Sequence, residues 1–346
     1  MNKVRIKELN MEQLEAFMKE LGQPTFRAKQ LWQWIWVKGA QTWEEMTNLS
    51  KDLRGKLSEG AVLENLEITT CQVSAKDGTR KYLFKLPDGH FIESVLMSHG
   101  YGNSVCVSTQ VGCKMGCGFC ASTLGGLVRN LKTWEIYDQV MRIQQDIDDR
   151  VSSIVLMGSG EPLDNYEASV EFIKLISSEQ GLHIGQRHIT LSTCGLVPEI
   201  YRLAEEKLSI TLSISLHAPS DEQRRAMMPI NQKYKIDELL KACDTYVEKT
   251  GRRITYEYSL VAGVNDDENS AHKLAQLLKG KLAHINLIPV NPVLEKGYKK
   301  PKEDKIKGFQ KVLEKYKIEA TVRKEMGADI DAACGQLRRR YEEEEA

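Results

Sequence analysis

Apolar residues recur along this chain in two rhythms, one helical and one strand-like. Over the first 65 or so residues the spacing is helical, with Leu14, Phe17, Met18 and Leu21 on one face. A second helix is expected over residues 26–37, with Gly39 as its stop. Trp32, Trp34, Trp36 and Trp43 fall in this region. Such aromatics can stack on bases, but filling a small helical core is their commoner use and is the reading taken here. Residues 67–73, 80–86, 91–98 and 103–110 then alternate apolar and polar, with turn signals such as Asp77-Gly78 and Pro87-Asp88-Gly89 between them.

Beyond residue 150 the pattern changes to buried strands followed by amphipathic helices. Strands are expected over 151–157, 187–192, 208–216, 253–261, 283–290 and 317–323. Helices are expected over 164–178, 198–207, 236–249, 267–279 and 302–316. With the strand at Asn103, this makes about six βα units. Such a series implies a parallel sheet with right-handed crossovers, and a partial (β/α)6 barrel rather than a closed eight-fold one. The expected organisation is an N-terminal helical domain (1–65), a short β-rich extension (66–100), the α/β barrel (101–325) and a C-terminal segment (326–346).

Composition adds limits. The chain has 346 residues, with 41% apolar and 28% charged residues, as expected of a globular protein. No run approaches the roughly 18 apolar residues of a membrane helix, and the start lacks the apolar core of a signal peptide. A cytoplasmic location is therefore expected. Lys plus Arg and Asp plus Glu both total 48, so the net charge is zero. The sum hides a polarised chain. Residues 101–230 hold 11 basic and 15 acidic residues, whereas 296–324 hold 11 basic and 4 acidic. That basic stretch, with Arg27, Lys29 and Lys38, is a candidate phosphate-contacting surface; a solvated helix face would look the same.

The chemistry concentrates in cysteine. Of eight cysteines, Cys113, Cys117 and Cys120 form C-x3-C-x2-C in a glycine-rich loop after the first barrel strand. In a reducing compartment, clustered cysteines point to metal or catalytic groups rather than disulfides. A closed [4Fe–4S] site takes four cysteines, so a three-cysteine loop leaves one iron open to a small molecule. Structural zinc is the alternative, but it wants a fourth ligand, and no second CxxC pair occurs. Gly158-Ser-Gly-Glu-Pro162 follows a buried strand at its C-terminal end, where ligands of α/β proteins bind.

The cysteine spacing resembles the signature of the radical S-adenosylmethionine (SAM) superfamily. Further stretches resemble one family within it, the dual-specificity RNA adenine-C2 methyltransferases (RlmN). These are Cys106-Val-Ser-Thr-Gln-Val-Gly-Cys113, Met157-Gly-Ser-Gly-Glu-Pro-Leu163, Leu191-Ser-Thr-Cys-Gly195, Ser215-Leu-His217, Met228-Pro-Ile-Asn231, Asn286-Leu-Ile-Pro-Val-Asn291 and Asp329-Ile-Asp-Ala-Ala-Cys-Gly-Gln-Leu337. The resemblance implies a radical SAM barrel holding one [4Fe–4S] cluster on Cys113, Cys117 and Cys120, and two SAM molecules per turnover. It implies SAM contacts from Gly160, Glu161, Ser192, Ser215, Leu216, His217 and Asn291.

The resemblance also implies a ping-pong reaction. In it Cys334 carries the methyl group, Cys106 is the resolving thiol, and Glu93 is the general base. The implied substrates are 23S rRNA near the peptidyl-transferase centre and the adenosine 3′ of the anticodon in tRNA. The implied electron donor is of flavodoxin or ferredoxin type, and a monomer is expected. Ser159 departs from the bulkier residue of many relatives, and Cys71, Cys194 and Cys243 are read as structural. Two alternatives remain at this point. One is a C8-adenine rRNA methyltransferase conferring antibiotic resistance, whose motif usually reads Gly-Glu-Ala where this chain has Gly160-Glu161-Pro162. The other is a non-enzymatic zinc-containing RNA-binding module.

Overall fold

A computed structural model describes residues 3–290, 297–331 and 335–345, with side chains as far as Tyr341. The N-terminal unit opens with β1 (Val4–Arg5) and α1 (Met11–Glu20). Asn10 and Gln13 cap α1 reciprocally, each side chain accepting the other's backbone N–H at 2.9 Å. The unit continues with α2 (Phe26–Trp32), which widens into a π turn over Gln33–Val37. It closes with α3 (Lys51–Gly60) and β2 (Ala61–Val62), which pairs in parallel with β1. Leu14, Phe17, Met18, Leu31, Ile35, Trp36, Trp43, Leu53 and Leu57 are buried in the core. The Trp36 ring meets Tyr137 edge-on at 5.0 Å, and Trp32 and Trp34 pack against the same core.

Three antiparallel strands follow: β3 (Glu67–Val73), β4 (Arg80–Lys85) and β5 (Phe91–His99). They share one sheet with the strands after them. β5 pairs antiparallel with β6 (Gly102–Cys106), and β6 pairs in parallel with β9 (Val151–Leu156). The parallel series runs on through β10 (Ile189–Thr193), β11 (Thr211–Ser215), β12 (Ile254–Leu260), β13 (Ala283–Pro289) and β14 (Ala320–Val322). The crossover helices are α4 (Thr133–Ile147), α5 (Tyr166–Ser177), α6 (Val197–Glu205), α7 (Asp221–Met227) with α8 (Ile236–Thr250), α9 (Glu268–Leu278) and α10 (Glu303–Lys315). A last helix, α11, spans Gln336–Glu345. Six βα units and a closing strand make the expected partial barrel. The sheet is open, with β3 and β14 at its edges.

One expected strand is two. The chain leaves the sheet after Cys106, and β7 (Gln110–Gly112) pairs with β8 (Leu127–Asn130) instead. Polar residues cause the break. Ser108 N–H bonds the Gln139 side chain at 2.8 Å, Ser108 Oγ bonds the Glu93 carbonyl at 2.7 Å, and Thr109 N–H bonds the Ser159 carbonyl at 2.9 Å. The helix α4 was not among the expected helices, although Ile136, Val140, Ile143 and Ile147 form an apolar stripe at helical spacing. Residues 134–143 are all buried, including Glu135, Asp138, Gln139 and Arg142, because neighbours cover the helix on several sides.

Asp138 joins the N-terminal unit to the barrel. It accepts from Lys7 Nζ at 2.8 Å, Leu66 N–H at 2.8 Å and Arg142 at 3.5 Å. Burial pushes its carboxyl up, but Lys7, Arg142 and the Leu66 N–H together hold it below the usual carboxylate range. Asp138→Ala leaves two buried cations without their carboxylate. It is expected to lower stability by about 3–5 kcal/mol, read as a lower urea midpoint at unchanged slope. With its carboxyl held low in the folded state, the contribution of Asp138 is present at neutral pH and is lost as pH falls below about 4. A wild-type urea midpoint in the variant would refute this joint.

Candidate active site

The cysteine loop hangs from the β7–β8 hairpin. Gly112 sits at φ +77°, and a Cβ there would lie 2.0 Å from the Gly126 carbonyl oxygen, so the close crossing of the hairpin admits only glycine. Cys113 N–H then bonds that same carbonyl at 2.8 Å, and Gly118 N–H bonds the Met227 carbonyl at 2.8 Å. Thr123 Oγ1 donates to the Cys120 carbonyl at 2.9 Å. Cys113, Cys117 and Cys120 all line one cavity of about 270 Å³. Burial pushes the Cys113 thiol up to about 12 and raises Cys117 as well. A cationic centre is what turns such thiols into thiolates at neutral pH. Among the described residues, no three His, Cys, Asp or Glu groups converge on one point as a single metal ion requires. A four-iron cluster instead takes each thiolate on a different iron. Three thiols facing one cavity, Cys113 and Cys117 buried and Cys120 half-buried, fit that group.

The opposite walls are the C-terminal ends of the parallel strands. Gly160 (φ +112°) brings the turn after β9 against Gln110, where a Cβ would lie 2.7 Å from the Gln110 side chain. Ser159 Oγ is 3.1 Å from Ser122 Oγ, tying this turn to the end of the cysteine loop. Glu161 is buried and accepts Cys194 N–H at 2.7 Å and Leu163 N–H at 3.1 Å. Burial raises its carboxyl above the usual range.

His217 sits at φ +56°, accepts Ser259 N–H on Nδ1 at 2.9 Å and meets the Phe119 ring edge-on at 4.6 Å. Burial, aided by the Arg224 charge, pushes it down to about 3. It is therefore neutral, and because Nδ1 accepts, the proton is on Nε2. Ser192 and Ser215 line the cavity too. Leu216 does not line it; it is wholly buried in the core, and its N–H bonds the Glu257 carbonyl. Asn291 lies outside the described residues.

A second cavity of about 670 Å³ adjoins the first, sharing Met157, Ile288 and Arg323 with it. Cys106 lines it at the end of β6, and Lys300, Lys307, Arg323 and Lys324 line it from the basic stretch. The N-terminal basic candidates are engaged locally: Arg27 donates to Gln30 and the Asn48 carbonyl, and Lys38 lies over the Trp34 ring at 3.8 Å. Glu93, on β5, is only 3% exposed and faces inward. It accepts Lys81 Nζ at 2.9 Å, Gly335 N–H at 2.5 Å and Arg338 N–H at 2.7 Å. Cys334 itself lies outside the described residues.

Three groups escaped the reading of the sequence. Cys194, read there as structural, is a wall of the first cavity. Glu257 lines that cavity from β12, holding Ser213 Oγ at 2.7 Å and Asn286 Nδ2 at 2.8 Å. Arg224, fully buried, donates to the carbonyls of Cys194 (2.7 Å), Ser215 (3.2 Å) and Leu216 (3.3 Å) and to Asn231 Oδ1 (3.1 Å). Arg224 and Glu257 belong to none of the matching stretches, and Cys194, within Leu191–Gly195, has no ligand spacing of its own. For Glu257, alternation on a buried strand was the one available signal.

Residues 4–63 match the ribosomal RNA large subunit methyltransferase N-terminal domain, and residues 107–275 match the radical SAM superfamily. A probable dual-specificity RNA methyltransferase RlmN of Desulforamulus reducens is 57% identical over 341 residues, covering 99% of this chain and 97% of its own. The chain belongs to the RlmN family. An RlmN relative from Clostridium perfringens is 55% identical over 336 residues, covering 97% of each chain. The crystal structure of a radical SAM methyltransferase from Sphaerobacter thermophilus superposes with a TM-score of 0.91 at 43% identity, covering 96% of this chain and 98% of that one. This RlmN-family protein is therefore a SAM-dependent RNA methyltransferase of the radical SAM superfamily, which sets aside the non-enzymatic zinc module. No helix among the described residues is long and apolar enough to cross a membrane.

The histidine gives a pH test. A folded-state value near 3 against an unfolded value near 6.5 means His217 favours the fold above pH 6.5. That contribution fades as pH falls from about 6.5 toward 3. Imidazole ¹⁵N shifts should show an unprotonated Nδ1 that does not titrate between pH 5 and 8. Titration of His217 with a midpoint near 6.5 would refute the buried, Nδ1-accepting arrangement.

Proposed function

We propose that this chain methylates C2 of an adenine in 23S rRNA and of the adenosine 3′ of the anticodon in tRNA, through a methyl group carried on Cys334. The observation that carries the reading is the joined pair of cavities. One bears the three-cysteine loop and the strand ends; the other bears Cys106 and a basic wall, and they share Met157, Ile288 and Arg323. The first suits a cluster and SAM. The second suits an extruded base with its phosphates, since C2 is out of reach inside a stack.

Cys113, Cys117 and Cys120 would hold the [4Fe–4S] cluster, which when bound supplies the electron that cleaves SAM to a 5′-deoxyadenosyl radical. A radical is needed because C2, between two ring nitrogens, is too electron-poor to attack a methyl sulfonium. The chain's own residues do the rest. Glu161, Ser192, Ser215 and His217 orient SAM, His217 through its Nε2–H, and Phe119 shields the open end of the loop. Arg323, Lys300 and Lys307 take RNA phosphates, a sequence-independent contact suited to recognition by shape. Once the methylene carbon carried on Cys334 has bonded to C2, Glu93 takes the C2 proton. The one remaining electron would leave through the cluster that the three cysteines hold, so that a thioether joins Cys334 to the base. Cys106 then attacks the Cys334 sulfur: a disulfide forms, the sulfur–carbon bond to the product breaks and the carbon takes a proton. Two SAM molecules are consumed per turnover, one giving the methyl and one the radical. A flavodoxin or ferredoxin supplies electrons, and the enzyme acts as a monomer.

Mass spectrometry of digested RNA, with 23S rRNA and tRNA offered separately, is expected to give C2-methyladenosine from both. C8-methyladenosine would establish the resistance-type reaction instead. Cys106→Ala is expected to accumulate a covalent protein–RNA adduct, seen as a shifted band that RNase trims. Full turnover with no adduct would remove Cys106 from the mechanism.

A further inference from the structure

We propose that the antiparallel strands β3–β5 hold the chain on both sides of Cys334, with Gln72 and Lys81 as positioning residues for that segment. The proposal rests on the reading of Cys334 as methyl carrier. On the upstream side, Asp77 accepts Gly327 N–H at 2.9 Å. Asp329 accepts Ser74 Oγ at 2.5 Å and Ala75 N–H at 2.9 Å. Gln72 bonds Asp331 twice, its amide donating to the carboxylate at 3.0 Å and its oxygen accepting the Asp331 N–H at 3.0 Å. On the downstream side, the Glu93 carboxylate accepts Gly335 N–H at 2.5 Å and Arg338 N–H at 2.7 Å. It thus caps the start of α11 from another strand, where free N–H groups and the helix dipole favour an anion. Phe91 packs against Tyr341 with ring centroids 5.1 Å apart.

Three residues, Cys334 among them, lie between the anchored Asp331 and the anchored Gly335. Lys81 completes the device. It is 1% exposed and 2.9 Å from Glu93. Burying an ammonium or a carboxylate alone is costly, and the Lys81–Glu93 pair offsets that cost, so the buried carboxylate can hold the two N–H groups. Three donors leave about one of the carboxylate's four lone-pair sites for a proton, so anchoring and the base role coexist.

The test uses the loaded full-length enzyme carrying Lys81→Met, Lys81→Arg or Gln72→Ala. Hydrogen exchange of amides 335–338, kcat and KM for both substrates, and methyl occupancy of Cys334 by peptide mass spectrometry are read together. Lys81→Met is expected to speed exchange of amides 335–338 on the order of tenfold, the scale of one lost charge-assisted hydrogen bond. It should lower kcat by a comparable factor at unchanged KM for SAM, and Lys81→Arg should restore both. Gln72→Ala, on a half-buried side chain, should lower kcat in the same way and carries the test if Lys81→Met does not fold.

Wild-type exchange and kcat in Lys81→Met and Gln72→Ala would overturn the proposal, as would faster exchange with undiminished kcat. Absence of methyl on Cys334 in the wild type would overturn the carrier reading itself. That outcome is distinct from methylated wild type with unaffected variants.

Discussion

Cys194 is gripped from both sides by buried charge. Its N–H is taken by the Glu161 carboxylate and its carbonyl by the Arg224 guanidinium, each at 2.7 Å. Glu161 is held by main-chain N–H groups, and Arg224 by main-chain carbonyls and the Asn231 side chain. Such bonds are worth about 1.5–3 kcal/mol apiece, and taking the charges out of water costs a similar amount or more. The net gain in stability is small, but the gain in definition is large. Glu161 fixes the turn after β9 to the end of β10, and Arg224 fixes the end of β10 to Ser215 and Leu216 at the end of β11. Three strand ends therefore keep one geometry around the cavity that faces the cysteine loop. Through Asn231, whose amide bonds Asp221, the same guanidinium also fixes α7, whose end accepts Gly118 of that loop.

What the sequence disclosed follows from where its information is local. Parallel strands buried on both faces show as short apolar runs, so the six βα units could be read from pattern. The cysteine spacing lies within eight residues and needs no tertiary knowledge. Arg224 and Glu257 were invisible for the opposite reason. A buried charged residue is marked by its partners, and those partners come from other strands. Helix α4 carries an apolar stripe, Ile136, Val140, Ile143 and Ile147, yet was not among the expected helices; what pattern alone could not disclose is that its polar residues Glu135, Asp138, Gln139 and Arg142 are buried too. The break after Cys106 was misread because a short polar run looks like strand alternation until Gln139 and Ser159 claim its N–H groups.

The zero net charge acquires meaning from the second cavity. Lys300, Lys307, Arg323 and Lys324 stand on its wall, and the two acidic residues there are Glu303 and Glu325. The ion pairs among them, Lys300–Glu325 at 2.9 Å and Lys307–Glu303 at 3.9 Å, are exposed. Exposed pairs are weak and are readily exchanged for phosphate. With four basic residues against two acidic ones, this wall carries a local positive excess on a molecule whose formal net charge is zero.

The antiparallel extension looks dispensable to a barrel, since a parallel sheet needs no such edge. Its placement gives it a role. β5 lies against β6, so the strand that presents Glu93 neighbours the strand that ends at Cys106; Val95 and Cys106 are paired residues. The same three strands and their hairpin receive residues 327–331 and 335–341, some 250 positions further along the chain. The extension thus covers what would be an open strand edge and brings the chain's end back beside β6. The proposed bond between Cys106 and Cys334 would require that proximity. A barrel without the extension would leave residues 327–331 and 335–341 without the strands that anchor them beside β6.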